Sequence, residues 1–95
     1  MDRMIYDVTV KCPPDFKKKG VMERHYHASI EKDEKYHLFT FEESYRVMDR
    51  DRFIPREGFT LSTSIGNFLV IHARKKDEAN EIHPNPMLCY AVRTA

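Results

Sequence analysis

The chain lacks most of what would mark a specialised class of protein. Its 95 residues include only two cysteines, Cys12 and Cys89, and neither has a second cysteine three or four residues away. That spacing excludes a zinc site built on cysteine. Both lie in apolar, strand-like segments, so two small buried thiols are expected. A disulfide would require the first and last strands to be neighbours. No apolar run approaches the roughly 20 residues that carry a helix across a bilayer. The opening Met1-Asp2-Arg3-Met4-Ile5 turns polar at Asp7 and has no apolar centre of the signal-peptide kind, so a cytoplasmic location is expected. Charge of one sign is also not in excess, because 16 Lys and Arg face 15 Asp and Glu for a formal net charge of +1. The balance argues against nucleic-acid binding by overall charge, and equally against an acidic nucleic-acid mimic. Walker, GxGxxG, GxSxG and HExxH patterns are missing, and no cofactor is expected.

What remains is the composition of one globular domain over residues 1–95, 41% hydrophobic and 12% aromatic. Met4, Tyr6, Val8, Val10 and Cys12 alternate with Asp7, Thr9 and Lys11, which predicts a half-buried strand ended by Pro13-Pro14. A polar loop with a basic tip follows. Strands are expected over 24–30 and 36–41, joined by the charged run Glu31 to Lys35. Pairing residue 31 with 35 places Tyr26, Ala28 and Ile30 with Tyr36 and Leu38. The opposite surface then collects His25, His27, Ser29, His37, Phe39 and Phe41.

Thr40, with Glu43 three residues on, predicts a capping box and a helix through Arg50, with an extended reading of Phe39 to Val47 as the competing one. Phe41, Tyr45, Met48 and Phe53 form its apolar stripe, and Pro55 ends it. From Phe59 to Arg74 the pattern is a hairpin, with Gly66-Asn67 as a type II′ loop and residue 65 opposite 68. Strand 59–65 carries a polar row and is placed near an edge. Strand 68–74 is apolar on both sides and is placed centrally. Met87 to Arg93 is the last strand. The predicted fold is α+β: a mostly antiparallel sheet of about six strands, ordered β-β-β-α-β-β-β, with one helix packed on a face.

His25, His27, His37, Phe39 and Phe41 make the candidate binding surface. Three imidazoles are suitable donors for zinc or another transition metal. However, the pairs 25/41 and 27/39 set histidine opposite phenylalanine, an ordinary cross-strand stack. No carboxylate at a fitting spacing joins them, so no metal ligands are assigned. His27-Ala28-Ser29 has the shape of half a two-histidine phosphoesterase signature, but His72-Ala73-Arg74 and His37-Leu38-Phe39 lack the second hydroxyl. Asp49-Arg50-Asp51-Arg52 is a self-neutralising helix end. No catalytic residue is assigned, and the chain is not expected to be an enzyme.

The expected function is a small intracellular binding protein, an inhibitor or regulator that acts by covering a site on another protein. By analogy of size and style, accessory and counter-defence proteins of mobile elements work in this way. An exposed edge at 59–65 would extend a partner's sheet or support a homodimer. No membrane partner is expected. The alternative is an RNA- or DNA-binding protein that uses Lys17, Lys18, Lys19, Arg74, Lys75 and Lys76, with bases stacked on Tyr26, Phe39 or Phe41. A third reading is a metal-dependent hydrolase built on His25, His27 and His37.

Overall fold

The computed structural model describes residues 4–14, 23–51, 53–77 and 85–94. The strands turn alternate side chains inward, and the inward sets hold the large apolar groups, while β6 buries every residue from Pro86 to Cys89. β1 (Ile5–Lys11) turns in Val8 and Val10, and β2 (Glu23–Asp33) turns in Tyr26 and Ala28. β3 (Tyr36–Ser44) contributes Phe39 and Phe41, and β4 (Thr60–Thr63) contributes Leu61. β5 (Gly66–Lys75) adds Phe68 and Val70, and β6 (Pro86–Arg93) adds Met87, Cys89 and Ala91. All neighbours are antiparallel, and the ring closes in the order β1-β2-β3-β6-β5-β4.

The order of elements along the chain and the antiparallel sheet are as the sequence predicts. The open sheet with a helix on one face is corrected to a closed barrel. An open sheet needs a second layer over its apolar face, whereas a closed one packs that face against itself. The helix α1 (Tyr45–Arg50) is only six residues long and buries just Met48. Its cap is Ser44, whose Oγ accepts the Val47 N–H at 3.3 Å. The expected capping box at Thr40 does not form because Thr40 to Glu43 continue β3, which keeps Phe41 in the barrel interior.

Past α1, Phe53, Pro55 and Phe59 extend the same interior. The Phe53 ring lies 5.7 Å from Phe59, Phe39 lies 5.1 Å from Phe68, and Phe41 lies 6.1 Å from Tyr26, all in edge-on contact. The Tyr26 hydroxyl donates to the Phe53 carbonyl at 3.2 Å, tying this segment to β2. Burial, and then the Asp51 carboxylate, pushes that hydroxyl up to about 12, so it remains a donor.

Two hairpins depart from expectation in instructive ways. β2 and β3 meet at Asp33↔Tyr36, with Glu34 and Lys35 as a two-residue turn. The Asp33 carboxylate accepts the Glu34 N–H at 2.9 Å, a local bond that fixes the tight turn. This register differs from the 31/35 pairing by an odd step, so it exchanges the faces of β3 relative to β2. Phe39 now pairs with Ile30 and Phe41 with Ala28. Burying two phenylalanines outweighs burying Tyr36 and Leu38 in their place.

The β4–β5 turn is Ser64-Ile65, with Thr63 opposite Gly66, instead of Gly66-Asn67. Thr63 Oγ1 accepts the Ile65 N–H at 3.1 Å and donates to the Gly66 carbonyl at 3.0 Å. Gly66 then takes φ 137°, a conformation open to glycine. The displacement is even, so Leu61 still shares the interior with Phe68. A bulge between Val70 and His72 turns His72 outward, away from the surface shared by Phe68 and Val70.

The strand 59–65 expected at an edge is flanked on both sides. β4 pairs with β1 from Thr9↔Ser62 to Lys11↔Thr60, and with β5 along its whole length. The edge placement is thereby corrected, because barrel closure uses both sides of β4 from Thr60 to Ser62. Cys12 and Cys89 are buried free thiols, and β1 and β6 are not neighbours. Among the described residues, no helix is long and apolar enough to cross a membrane.

Candidate functional site

The odd register splits the candidate binding surface in two. Phe39 and Phe41 are fully buried inside the barrel. His37 follows them inward and stacks on Phe68 at 4.7 Å, where burial and then the Arg93 and Lys32 charges lower its pKa. His25 and His27 face solvent on β2. The five side chains therefore do not share a surface, and the three imidazoles do not converge on a metal position. Among the described residues, no group of three or more His, Cys, Asp or Glu is placed to hold a metal ion.

His25 Nδ1 lies 3.1 Å from Thr9 Oγ1, and its Nε2 is 3.6 Å from Glu23. His27 is held more firmly, by groups from both neighbouring strands. Its Nδ1 is 2.8 Å from Glu43 Oε2 and its Nε2 is 3.2 Å from Asp7 Oδ1. The His27 backbone N–H donates to Glu43 Oε1 at 2.8 Å. The Glu43 hydrogen bond is the main cause of a raised His27 pKa. With a carboxylate at each ring nitrogen, the imidazolium form of His27 is favoured, since it donates from both nitrogens. It ties β1, β2 and β3 together.

Of the basic candidates, Lys17, Lys18 and Lys19 lie outside the described residues. Arg74 is exposed near the end of β5. The Lys75 ammonium sits 4.6 Å from the centre of the Tyr45 ring, and the Lys76 N–H donates to the Pro86 carbonyl at 2.9 Å. The stacking partners expected for bases are not available, since Tyr26, Phe39 and Phe41 are all interior.

The outside of the barrel has two unlike halves. Asp7, Lys11, Glu23, His25, His27, Glu31 and Asp33 make the β1–β2 wall charged. Across the ring, the outer wall of β5, β6 and β3 is nearly uncharged. Leu69 is paired with Val92, and the next row runs His72, Tyr90, Leu38. Tyr36, Leu69 and Ile71 are 38%, 36% and 38% exposed, and the His72 and Tyr90 rings lie 5.8 Å apart. His72 is the charge-bearing side chain of these rows, and Arg74 stands in the row after them, with Leu88 and Thr40. The sequence signal for this wall was the apolar character of 68–74 on both sides, which an interior strand would share.

No family model matches the chain, and no curated protein or solved structure shows significant similarity to it.

Proposed function

We propose that this is a small intracellular, non-enzymatic protein that binds another protein, as an inhibitor or regulator. The supporting observation is the outer wall of β5, β6 and β3, where Tyr36, Leu38, Leu69, Ile71, Tyr90 and Val92 stand together beside few charges. Aromatic and aliphatic groups with one arginine at the margin are the composition of protein-contact centres. A contiguous apolar patch on an otherwise charged surface is where a monomer meets a partner. Among the described residues, the barrel interior is packed with phenylalanine rings.

The test is affinity capture from nuclease-treated lysate of the source cell, with the native chain and with a Leu69→Glu/Val92→Glu variant side by side. Both side chains face outward, so the variant keeps its circular dichroism spectrum. The expected result is a partner protein retained by the native chain and reduced about tenfold with the variant. Equal retention by both chains, or loss of the partner on nuclease treatment, overturns the proposal.

A further inference from the structure

The barrel closes unevenly, because β5 has ten residues and β4 only four. β4 covers β5 from Gly66 to Leu69. One more residue is held, since the Val70 N–H donates to the Phe59 carbonyl and the Val70 carbonyl accepts the Gly58 N–H, each at 2.9 Å. Gly58 has φ +91°, a left-handed conformation that turns the preceding chain off the strand path. Past Val70, β5 pairs with β6 on one side only, from His72↔Tyr90 to Lys75↔Met87. Among the described residues, no backbone hydrogen bond reaches the other side of Ile71 to Lys75. An open cleft of about 280 Å³ lies there, lined by Arg56, Glu57 and Ala73.

We infer that the Ile71 to Lys75 edge is a strand-addition site for an extended, acidic segment of a partner protein. This rests on the proposed protein-binding function and specifies the partner's chemistry. Five residues of strand span about 17 Å, enough for a short added strand to exchange backbone hydrogen bonds with every second residue. On the edge itself Arg74 and Lys75 are both cationic, while Arg56 and Glu57 of the cleft are of opposite sign. Cations along an open edge repel most chains that would pair there by accident. The same cations favour a strand carrying carboxylates, through opposite-charge pairs across the new ladder. A second copy pairing antiparallel over its own Ile71 to Lys75 would bring four cations, two Arg74 and two Lys75, into one short ladder, so self-pairing is disfavoured. The added strand would emerge beside Ile71 and His72, continuous with the apolar wall of β5.

Amide hydrogen exchange and NMR titration of the whole chain test this, using a short synthetic peptide in which glutamate alternates with valine. A peptide with lysine in place of glutamate is the control. The glutamate peptide is expected to slow exchange within 71–75, to leave 66–69 unchanged, and to bind Arg74→Glu about tenfold more weakly. Arg74 is exposed, and unchanged amide shifts in β1 and β2 show that the variant is folded.

Three results overturn the site. One is protection of 71–75 in the free protein equal to that of 66–69; the others are equal binding of both peptides and binding of neither. If the peptides fail while the Leu69→Glu/Val92→Glu variant still loses a captured protein, the edge site falls and the protein-binding function stands. If no protein is captured but the glutamate peptide protects the edge, the wall falls and the edge site stands.

Discussion

His27 is the side chain whose chemical state matters most to the outer surface. Its imidazolium form donates from both ring nitrogens, which is what the carboxylates of Asp7 and Glu43 accept. Because its pKa is raised in the folded protein, its stabilising contribution is complete below the ordinary histidine value. That contribution is lost as the pH rises through the folded value. About half of the side chain is exposed, 54%, and solvent screening holds the effect to ~1 kcal/mol or less. Urea denaturation repeated from mildly acidic to mildly alkaline pH is expected to show this decline, and His27→Gln is expected to flatten it.

Tyr26 is the interior counterpart. Tyr26→Phe keeps the ring contact with Phe41 but removes the hydroxyl's hydrogen bond to the Phe53 carbonyl, at a cost of about 1 kcal/mol in urea denaturation. Cys89 makes a third case. Burial pushes its thiol up to about 12, so alkylation at neutral pH is expected only after unfolding. Mass spectrometry of native and denatured samples treated with iodoacetamide measures this directly.

The hairpin of β2 and β3 shows what strand alternation can and cannot reveal. The positions of both strands, and of β1, β5 and β6, are legible from period-two patterns and from the proline and charge punctuation between them. The pairing between β2 and β3 is not, because a five-residue charged run admits turns centred at several places. Only the burial of Phe39 and Phe41 selects one. An odd error in such a turn inverts a whole strand, and it moved both phenylalanines onto the candidate surface. The even error at Gly66 moved no side chain to the other face. The bulge at Ile71 left no sequence mark, since it is set by how β5 must bend around the barrel. Helix α1 was legible only in its last six residues, where Ser44 supplies a cap that Thr40, inside β3, cannot.

These registers can be checked by mutation. Phe39→Ala and Phe41→Ala are expected to cost about 3–5 kcal/mol each, while His25→Ala, facing solvent, stays within about 0.5 kcal/mol. If Phe39→Ala behaved like His25→Ala, the observed register would be wrong. Gly58→Ala is expected to cost about 1 kcal/mol through its backbone, because an added Cβ meets only Pro13 Cγ at an ordinary 3.9 Å. A thermal melt reads each of these differences.

For the molecule as a whole, function follows from which half of the barrel faces outward with what chemistry. The charged wall of β1 and β2 is internally satisfied, as the bonds of His25 and His27 show. The wall of β5, β6 and β3 has apolar side chains with no such partners, and the short β4 leaves an opening next to it. Little of this was visible in the sequence. Alternation tells which side chains point away from the interior, but not that two strands distant in the chain lie together on one wall.

The seam between β1 and β4 also governs how fast the chain reaches its native state. Thr9 and Ser62, which meet there, are more than fifty residues apart in sequence. Bringing such distant segments together precedes most of the reward for doing so, and chains dominated by contacts of this kind fold in milliseconds to seconds. Stopped-flow refolding should therefore be slow for a chain of this length. A substitution that weakens the seam, such as Val10→Ala opposite Leu61, should accelerate unfolding if the ring shuts after the rate-limiting step and retard refolding if it shuts before.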